Sequence, residues 1–259
     1  MQADPALAQA CLNLGRLAGT RGDHALAAEC FKAGLDHHPG DPTFEHLSAA
    51  SAGRSTARAP AGYVTNLFDS VARQFENHLV RELEYQVPEA LAKLVRPEIE
   101  ANACVIDLGC GTGLVGVALA ATGARITGVD LSPRMLERAQ SRGGYDDLRA
   151  TDLLEALAQA RGRWDLIVAA DVLPYMGDLK PVWDRAALAL KSGGLFAVSI
   201  ERAASDTYVL RANGRYAHGP SYVSGLAHGS FEVILQVPAT LRTEAGAPVA
   251  GEYLLMRKI

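Results

Sequence analysis

Between residues 104 and 200 the chain alternates short apolar runs with segments of helical periodicity, and this alternation narrowly limits its possible folds. The apolar runs are residues 104–108, 125–129, 147–150, 166–170 and 195–200. Strands joined by crossover helices lie parallel to one another, because each helix carries the chain back to the end where the previous strand began. We therefore predict an α/β domain whose parallel sheet has helices on both faces.

The C-terminal part of the chain follows a different pattern. Residues 231–237 and 253–257 have the composition of strands, and the segment between them contains Gly246 and Pro248 but no helical periodicity. Two strands without a crossover helix between them pair in antiparallel fashion. We place this pair at the edge of the sheet, which then has seven strands.

Residues 1–50 form a helical segment by their pattern, because Ala and Leu recur at helical spacing and Gly22 and Pro39 mark breaks. Two helices and the start of a third are predicted. The spacing of one tetratricopeptide repeat, a helix-turn-helix unit of about 34 residues, is found at Leu14-Gly15, Gly22, Ala27, Phe31 and Pro39. Such units bury their faces by stacking in about three copies. A helical cap or a homodimer contact is therefore favoured over a protein-docking solenoid.

Apart from Thr56, residues 51–62 are Ser, Ala, Gly, Arg and Pro without periodicity, which predicts a flexible linker between segment 1–50 and domain 63–259. After the linker, a stripe at helical spacing predicts a helix over residues 63–80. The stripe consists of Val64, Leu67, Phe68, Val71, Phe75 and Leu79. We expect this part of region 63–100 to pack on the domain. The alternative is a lid over a ligand, which would bring Tyr63, Phe75 or His78 toward a substrate.

The composition excludes several classes of function. A net charge of −4 over 259 residues gives no overall basic field, which argues against nucleic acid as a partner. The cysteines at positions 11, 30, 104 and 110 form no C-x-x-C pair, which argues against a disulfide framework and a zinc site. Neither a secretory leader pattern nor a run of about 18 apolar residues occurs. We expect a cytoplasmic protein that is not inserted in a membrane.

A glycine turn follows the first predicted strand. Residues 105–113 read Val-Ile-Asp-Leu-Gly-Cys-Gly-Thr-Gly and lead into a helix that begins near Leu114. Glycines let the backbone turn tightly and approach a ligand at the helix N-terminus. Gly111, Gly113 and Gly116 also match the dinucleotide pattern G-x-G-x-x-G, which by itself is a weak signal.

Acidic residues at the strand ends separate two interpretations of this turn. Asp107 precedes the turn, where it would repel a pyrophosphate but favour the sulfonium and ammonium cations of S-adenosylmethionine. Asp130 ends the second strand, where an acidic residue accepts hydrogen bonds from ribose hydroxyls. Asp152 follows the third strand and is a candidate acceptor for the adenine amino group, and Asp171 follows the fourth. Each of these aspartates alone is also explained as a cap of the following helix. Four of them around one glycine turn indicate a binding site for a positively charged nucleoside.

These residues are similar to those of class I S-adenosylmethionine-dependent methyltransferases. The resemblance covers about residues 63–259 and includes the loop 107–113, Asp130, Asp152-Leu153, residues 164–171 and residues 191–195. More narrowly, the chain resembles predicted bacterial methyltransferases that carry an N-terminal tetratricopeptide-like segment. The resemblance implies a Rossmann-like seven-stranded sheet, mostly parallel with an antiparallel C-terminal pair, preceded by the small helical segment.

The same resemblance implies how S-adenosylmethionine is held. Asp107 and the turn, including Gly109, Cys110, Gly111 and Gly113, would hold the methionine part. Leu131 and Leu153 would flank the adenine, oriented by Asp130 and Asp152. Asp171 completes the predicted cofactor set, and Leu173 or Tyr175 would approach the reacting methyl group.

Methyl transfer from a sulfonium is an in-line displacement, so the protein mainly aligns the reactants and needs no metal. Residues 171–175 lack the Pro-Pro-Tyr or Pro-Pro-Phe arrangement of enzymes that methylate planar nitrogens. Tyr175 is a candidate wall of the substrate pocket or an ordinary packed aromatic. The polar, aromatic region 208–222 is the best candidate substrate loop. It supplies Arg215, Tyr216 and His218, the last as a general base near neutral pH; the alternative is a solvated loop.

We therefore expect a methyltransferase that acts on a small-molecule acceptor, and we favour oxygen as the atom that is methylated. The alternatives are a protein methyltransferase that docks its substrate on the helical segment, and a regulator that binds S-adenosylmethionine without catalysis. An NAD-dependent oxidoreductase is suggested by Gly111, Gly113 and Gly116 and opposed by Asp107.

Overall fold

The computed structural model describes residues 5–72, 85–244 and 246–259. Four helices come first, followed by an α/β region of six further helices and nine strands among the described residues. The helices are α1 (Pro5–Thr20), α2 (His24–His37), α3 (Pro42–Ser51), α4 (Ala61–Val71), α5 (Val87–Val95), α6 (Leu114–Leu119), α7 (Pro133–Arg142), α8 (Leu153–Ala158), α9 (Lys180–Ala189) and α10 (Pro220–Ala227). The strands are β1 (Cys104–Leu108), β2 (Arg125–Asp130), β3 (Asp147–Ala150), β4 (Trp164–Ala169), β5 (Leu190–Glu201), β6 (Tyr208–Leu210), β7 (Tyr216–His218), β8 (Phe231–Glu244) and β9 (Ala247–Lys258). No helix of the described residues has both the length and the apolar character needed to cross a bilayer.

Seven strands form one sheet in the order β3-β2-β1-β4-β5-β9-β8. The pairs from β3 to β5 are parallel, and β9 runs antiparallel to both β5 and β8. This confirms the predicted Rossmann-like sheet with its antiparallel C-terminal pair. The two last strands are longer than the pattern predicted, because β8 and β9 continue pairing beyond Gly251, where β9 leaves its register with β5.

Helices cover both faces of the sheet, and each face has its own apolar core. One core surrounds Trp183 and Phe196, whose rings meet edge to face 5.0 Å apart between their centroids. The other packs Leu91 of α5 and Leu119 of α6 against Ile126 of β2. These buried layers fix the strand register, because a slip of one residue would expose the apolar side chains.

The helical segment predicted for residues 1–50 consists of α1, α2 and α3. Asp23 and Asp41 cap α2 and α3, since their carboxylates accept hydrogen bonds from the backbone N–H groups of Leu26 and Thr43. Two glycines allow the helices to pack closely: Phe31 lies against Gly15, and Phe44 lies against Gly34. Both phenylalanines are 3% exposed.

The helical segment does not stand apart from the α/β region. Its apolar face shares one buried cluster with the hairpin formed by β6 and β7: Ala18, Ala27, Phe31, Leu47, Ala49, Ala50, Ala59, Tyr63, Tyr175, Leu210 and Tyr216. The Nε2 atom of buried His46 hydrogen-bonds the Gly214 carbonyl at 3.0 Å, on the turn of that hairpin. The helices therefore support a part of the α/β region that is distant in sequence.

Residues 54–60, which we call the strap, connect the two regions. The Ala59 N–H donates to the Tyr175 carbonyl at 2.9 Å, the Gly177 N–H donates to the Ala57 carbonyl at 2.9 Å, and the Leu210 N–H donates to the Ser55 hydroxyl at 3.0 Å. Ala59 is 2% exposed. The prediction of a flexible linker is wrong for these residues, because partners outside the segment satisfy its backbone groups, and composition does not reveal such partners.

The helix packing can be tested with a matched pair of glycine substitutions. We expect Gly34→Ala to lower the free energy of unfolding by about 1–3 kcal/mol, because its new methyl group overlaps the buried Phe44 ring. Gly19→Ala on α1 meets no atom within 4 Å and should raise stability by about 0.5–1 kcal/mol through helix propensity. Urea denaturation followed by circular dichroism measures both. Equal effects of the two substitutions would contradict the close helix contact.

Candidate active site

A cavity of about 800 Å³ lies at the carboxyl ends of the parallel strands. It is lined by the loops after β1, β2, β3 and β4 and by one face of α4. In the sheet, β2 lies on one side of β1 and β5 lies on the opposite side of β4, so the strand order reverses between β1 and β4. In open parallel sheets, ligands bind at such a reversal. The cavity is within the usual size range of small-molecule sites, roughly 300–1,000 Å³.

The glycine turn after β1 forms one wall of the cavity. Gly109, Gly111 and Gly113 have φ angles of 68°, 53° and 91°, which side-chain-bearing residues rarely adopt. A methyl group at Gly109 would overlap Val172, whereas at Gly111 it would meet no atom within 4 Å. Gly109, Cys110 and Thr112 line the cavity, whereas Gly111 and Gly113, which were also predicted to hold the cofactor, do not.

Asp130 lies beside this turn and lines the cavity, as predicted. Its Oδ2 atom accepts a hydrogen bond from the Gly111 N–H at 2.9 Å, and its Oδ1 atom accepts one from the Ser132 N–H at 2.8 Å. Burial raises the pKa of Asp130, and these backbone hydrogen bonds oppose that rise. The carboxylate is therefore oriented at the end of β2, where ribose hydroxyls are bound in nucleotide sites.

Asp107 lies beneath the turn and does not line the cavity. It is fully buried, and its Oδ2 atom accepts a hydrogen bond from the Tyr145 hydroxyl at 2.7 Å. Its Oδ1 atom has no partner among the described residues. Burial raises the pKa of Asp107 to about 7. Contrary to the prediction, the structure therefore does not place Asp107 in contact with the methionine part of the cofactor. Its carboxylate would instead attract a nearby cation electrostatically from beneath the loop.

Tyr145 was not predicted as a site residue, although its hydrogen-bond partners Asp107 and Gly116 were noted in the sequence. Its hydroxyl also accepts a hydrogen bond from the Gly116 N–H at 3.0 Å. A methyl group at Gly116 or Gly128 would overlap the Tyr145 ring. The third glycine of the G-x-G-x-x-G pattern thus makes room for this tyrosine, which explains the dinucleotide-like spacing without a pyrophosphate.

The predicted adenine end is assembled at the ends of β2 and β3. Leu131 and Leu153 both line the cavity. The Oδ1 atom of Asp152 accepts a hydrogen bond from the Leu154 N–H at 2.9 Å and caps α8, and its Oδ2 atom pairs with Arg58 at 2.6 Å. Asp152 thus caps a helix and also faces the cavity. No sequence pattern identified Arg58, which lies on the strap.

The opposite end of the cavity, near β4 and β5, contains a charge network. Arg215 and Arg242 both donate to the Oδ1 atom of Asp171, at 2.8 and 3.2 Å, and both contact buried Glu201 at 2.7 Å. Arg215 also donates to the Tyr175 hydroxyl at 3.0 Å. All of these residues except Glu201 line the cavity. The structure therefore brings Asp171, Tyr175 and Arg215 together, and it adds Arg242 and Glu201, which carried no local sequence signal.

The pKa values in this network follow from burial and charge. Burial raises the pKa of Asp171 despite both arginines, whereas the arginines lower the pKa of Glu201 below its ordinary value, even though burial opposes them. Burial raises the pKa of Tyr175 to about 12, so its hydroxyl stays protonated at neutral pH. Asp171 has a left-handed φ of 55°, and its N–H donates to the Ser199 hydroxyl at 2.9 Å. Such strain in a non-glycine residue is concentrated at functional sites.

Two predicted catalytic residues lie elsewhere. His218 is 1% exposed, its Nε2 atom contacts the carbonyls of Met176 and Gly177, and burial lowers its pKa to about 4. Tyr216 is fully buried, and its hydroxyl bonds that of Thr56 on the strap. Neither lines the cavity. The prediction of His218 as a general base near neutral pH is wrong, and region 208–222 is a packed hairpin and helix rather than a solvated loop.

Helix α4 covers the cavity, which agrees with the lid alternative. Val64, Leu67, Phe68 and Val71 line it, and the Oδ1 atom of Asp69 accepts a hydrogen bond from the Ser132 hydroxyl. Tyr63 instead packs against His46 of the helical segment and lies close to Gly214 on the turn of the β6–β7 hairpin. The stripe residues Phe75 and Leu79 and the candidate His78 lie outside the described residues.

Comparison with known proteins agrees with this geometry. Residues 106–196 match the family model of a methyltransferase domain. The matched segment runs from β1 into β5 and includes the glycine turn. Demethylmenaquinone methyltransferase of Tropheryma whipplei (strain Twist) is 32% identical over 98 residues, which are 38% of this chain and 39% of that protein. The chain spans between 20% and 39% of the lengths of the curated relatives that it matches.

Solved structures share the fold over a longer part of the chain. The 1,6-didemethyltoxoflavin-N1-methyltransferase of Burkholderia thailandensis, with bound S-adenosylhomocysteine, has a TM-score of 0.60 and 19% identity over 79% of this chain and 92% of that one. The magnesium protoporphyrin IX methyltransferase of Synechocystis PCC 6803, with bound S-adenosylmethionine, has a TM-score of 0.59 and 17% identity over 79% of this chain and 100% of that one. The chain shares the fold of these two methyltransferases, whose structures hold S-adenosylhomocysteine or S-adenosylmethionine.

The residues of the cavity fit this cofactor on structural grounds. Gly109 and Cys110 of the turn line the cavity, Asp130 faces it, and the buried Oδ1 atom of Asp107 has no hydrogen-bond partner among the described residues. Asp130 would hold the ribose, and Leu131 and Leu153 would flank the base.

Substitution of Asp130 tests the ribose assignment. We expect Asp130→Ala to weaken S-adenosylhomocysteine binding by about 1.5–3 kcal/mol, because the hydrogen bonds from two hydroxyls to a carboxylate are lost. Isothermal titration calorimetry measures the affinity, with Asp147→Ala on the exposed start of β3 as the control. An unchanged affinity in Asp130→Ala, or tight binding of NADH by the unchanged protein, would refute the cofactor site.

Asp107 generates a pH prediction. The pKa of this carboxyl is about 7 in the folded chain, against an ordinary value of 3.8, so the folded state binds the proton more tightly and loses stability as pH rises from about 4 through 7. Asp107→Asn removes this loss. At about 1.4 kcal/mol for each pH unit, the variant should gain up to about 4 kcal/mol relative to the unchanged protein between pH 4 and pH 8. Urea denaturation across this range measures the difference, and a constant difference would contradict a raised pKa.

Proposed function

We propose that this chain transfers the methyl group of S-adenosylmethionine to an oxygen atom of a small, partly apolar acceptor. The observation that supports this most is the division of one cavity into two chemically different ends. Asp130, Leu131 and Leu153 lie at the end suited to a nucleoside. Asp171, Tyr175 and Arg215 lie at the other end, within reach of an acceptor.

The bound cofactor supplies an activated methyl group, and the protein aligns the acceptor with it. Tyr175, protonated at neutral pH, would donate a hydrogen bond to the acceptor. Arg215 and Arg242 both donate to the Oδ1 atom of Asp171, and no described residue donates a hydrogen bond to its Oδ2 atom. We assign Oδ2 as the proton acceptor for a hydroxyl nucleophile, which is the function that an oxygen acceptor requires.

The lining of the acceptor end indicates the class of acceptor. Leu67, Phe68 and Val71 of α4 provide an apolar wall, and Tyr85 and Tyr175 provide aromatic surface. With Arg211 and Glu244, which pair with Glu201 and Arg242, the network contains three arginines and three carboxylates, so its charges cancel. An uncharged apolar ring or chain with one hydroxyl fits this lining better than a polyanion.

Two features of the helical segment bear on the alternatives. Its apolar face packs on the β6–β7 hairpin, which favours a supporting role over the capture of a protein substrate. The outer side of α1 leaves Leu7, Leu14 and Leu17 between 38% and 48% exposed. We therefore keep the homodimer through these helices as part of the proposal. Membership of the bacterial group with a tetratricopeptide-like segment stays a prediction.

The reaction can be tested without knowing the acceptor. The protein is incubated with S-adenosylmethionine labelled with ¹³C in its methyl group and an extract of the producing cell, which is then separated by size. We expect label in the small-molecule fraction, with a methyl carbon that NMR identifies as bonded to oxygen. Label only in macromolecules would refute the acceptor class, and cofactor binding with no transfer to any fraction would favour the regulator.

Once the acceptor is identified, substitutions test the acceptor end. We expect Tyr175→Phe and Asp171→Asn to lower kcat at least about tenfold, with S-adenosylhomocysteine affinity changed less than about threefold. Tyr208→Phe is the control, because Tyr208 lies on the supporting hairpin outside the cavity. Unchanged kcat in both cavity variants would show that the acceptor binds elsewhere.

A further inference from the structure

The strap reaches both ends of the cavity. Arg58 and Ala59 are part of the cavity lining. The backbone of Arg58 forms an antiparallel bridge with Met176, and the carbonyl of Ala57 accepts hydrogen bonds from the N–H groups of Gly177 and Asp178 at 2.9 and 2.8 Å. The backbone of Arg58 is thereby anchored to the loop that follows β4.

From this anchored backbone, the Arg58 side chain reaches the end of β3. Its Nη2 atom lies 2.6 Å from the Oδ2 atom of Asp152. The Asp152 side chain is 15% exposed, and its other oxygen caps α8 through the Leu154 N–H. The carboxylate is therefore fixed from two directions, by a helix end and by a cation.

We propose that Arg58 is a positioning residue for the adenine end of the cofactor. It holds the Oδ2 atom of Asp152 so that this oxygen also accepts a hydrogen bond from the adenine amino group. This inference rests on the proposed function, because it requires the cofactor to occupy this cavity. It adds a residue that precedes both the matched methyltransferase domain and the strand of the glycine turn.

The chemistry of the pair supports this role. An ionised carboxylate has about four acceptor positions, so the one bond from Arg58 and the one from Leu154 leave room for a third donor. A hydrogen bond from a charged donor is stronger than a neutral one, so the bond from Arg58 fixes the orientation of the carboxylate. Leu153, the next residue, lines the same end of the cavity and provides the apolar contact for the base.

The test compares two ligands that differ at the adenine amino group. S-adenosylhomocysteine carries the amino group, whereas S-inosylhomocysteine carries a carbonyl oxygen there. We expect the unchanged protein to bind the first at least about tenfold more tightly in calorimetry. Arg58→Ala should weaken S-adenosylhomocysteine about tenfold and S-inosylhomocysteine less than about threefold, so the preference nearly disappears. Arg58→Lys, which keeps one cationic donor, should restore part of the preference.

Two further variants separate positioning from general support. Arg54→Ala removes an exposed arginine of the same strap and should leave both affinities unchanged. Asp152→Asn keeps an oxygen for the helix cap but loses the charge, and adding Arg58→Ala to it should produce no further loss if the arginine acts through Asp152.

The outcomes distinguish this inference from the proposed function. Equal weakening of both ligands by Arg58→Ala would show that the strap only supports the fold, and tighter binding would show that Arg58 occupies the place of the base; either result overturns the inference while the cofactor assignment stands. Failure of the unchanged protein to bind S-adenosylhomocysteine would refute the proposed function, and the inference with it.

Discussion

Two carboxylates support the turn that follows β1, one fully buried and one partly buried, and the rest of the site depends on this arrangement. Asp107 lies beneath the turn, bonded to Tyr145, and Asp130 lies beside it, bonded to the Gly111 N–H. The charge of Asp130 adds to burial in raising the pKa of Asp107. Neither carboxylate forms an ion pair with a described basic residue. Burying a carboxylate without a cationic partner destabilises the folded state. A positively charged ligand above the turn would therefore gain a favourable electrostatic interaction with these carboxylates.

The acceptor end is built on the opposite principle. Arg215 and Arg242 are paired with Asp171 and Glu201 at 2.7–3.2 Å, so the charges there cancel before any ligand binds. Because the network has no net charge, the affinity of a ligand at this end would depend on its shape and hydrogen bonds rather than on its charge. The left-handed backbone of Asp171 is kept in place by this network and by Ser199. In the proposed function, one cavity would attract a cation at one end and would select a largely uncharged partner at the other.

The N-terminal helices contribute to this cavity without lining it. Their buried face supports the β6–β7 hairpin, whose Arg215 enters the charge network, and the strap carries Arg58 to Asp152. The close packing of Phe31 on Gly15 and of Phe44 on Gly34 makes the three helices stiff enough for that purpose. A segment that resembles a docking repeat in sequence is used here as a support for the site.

Much of the fold followed from the sequence alone, because strands, turns and caps depend on local patterns: the five strand positions, the glycine turn, and the place of Asp130 at the cavity were all predicted. The residues that complete the site were not. His218 and Tyr216 have side chains suited to catalysis, but burial between distant elements keeps His218 neutral and takes both away from the cavity. Arg58, Tyr145, Glu201 and Arg242 were missed, since each of them bonds at least one residue that lies 38 to 94 positions away in the chain. Local sequence determines which backbone a segment adopts, whereas the packing of remote elements determines which side chains meet, how deeply they are buried, and therefore which of them keep their charge.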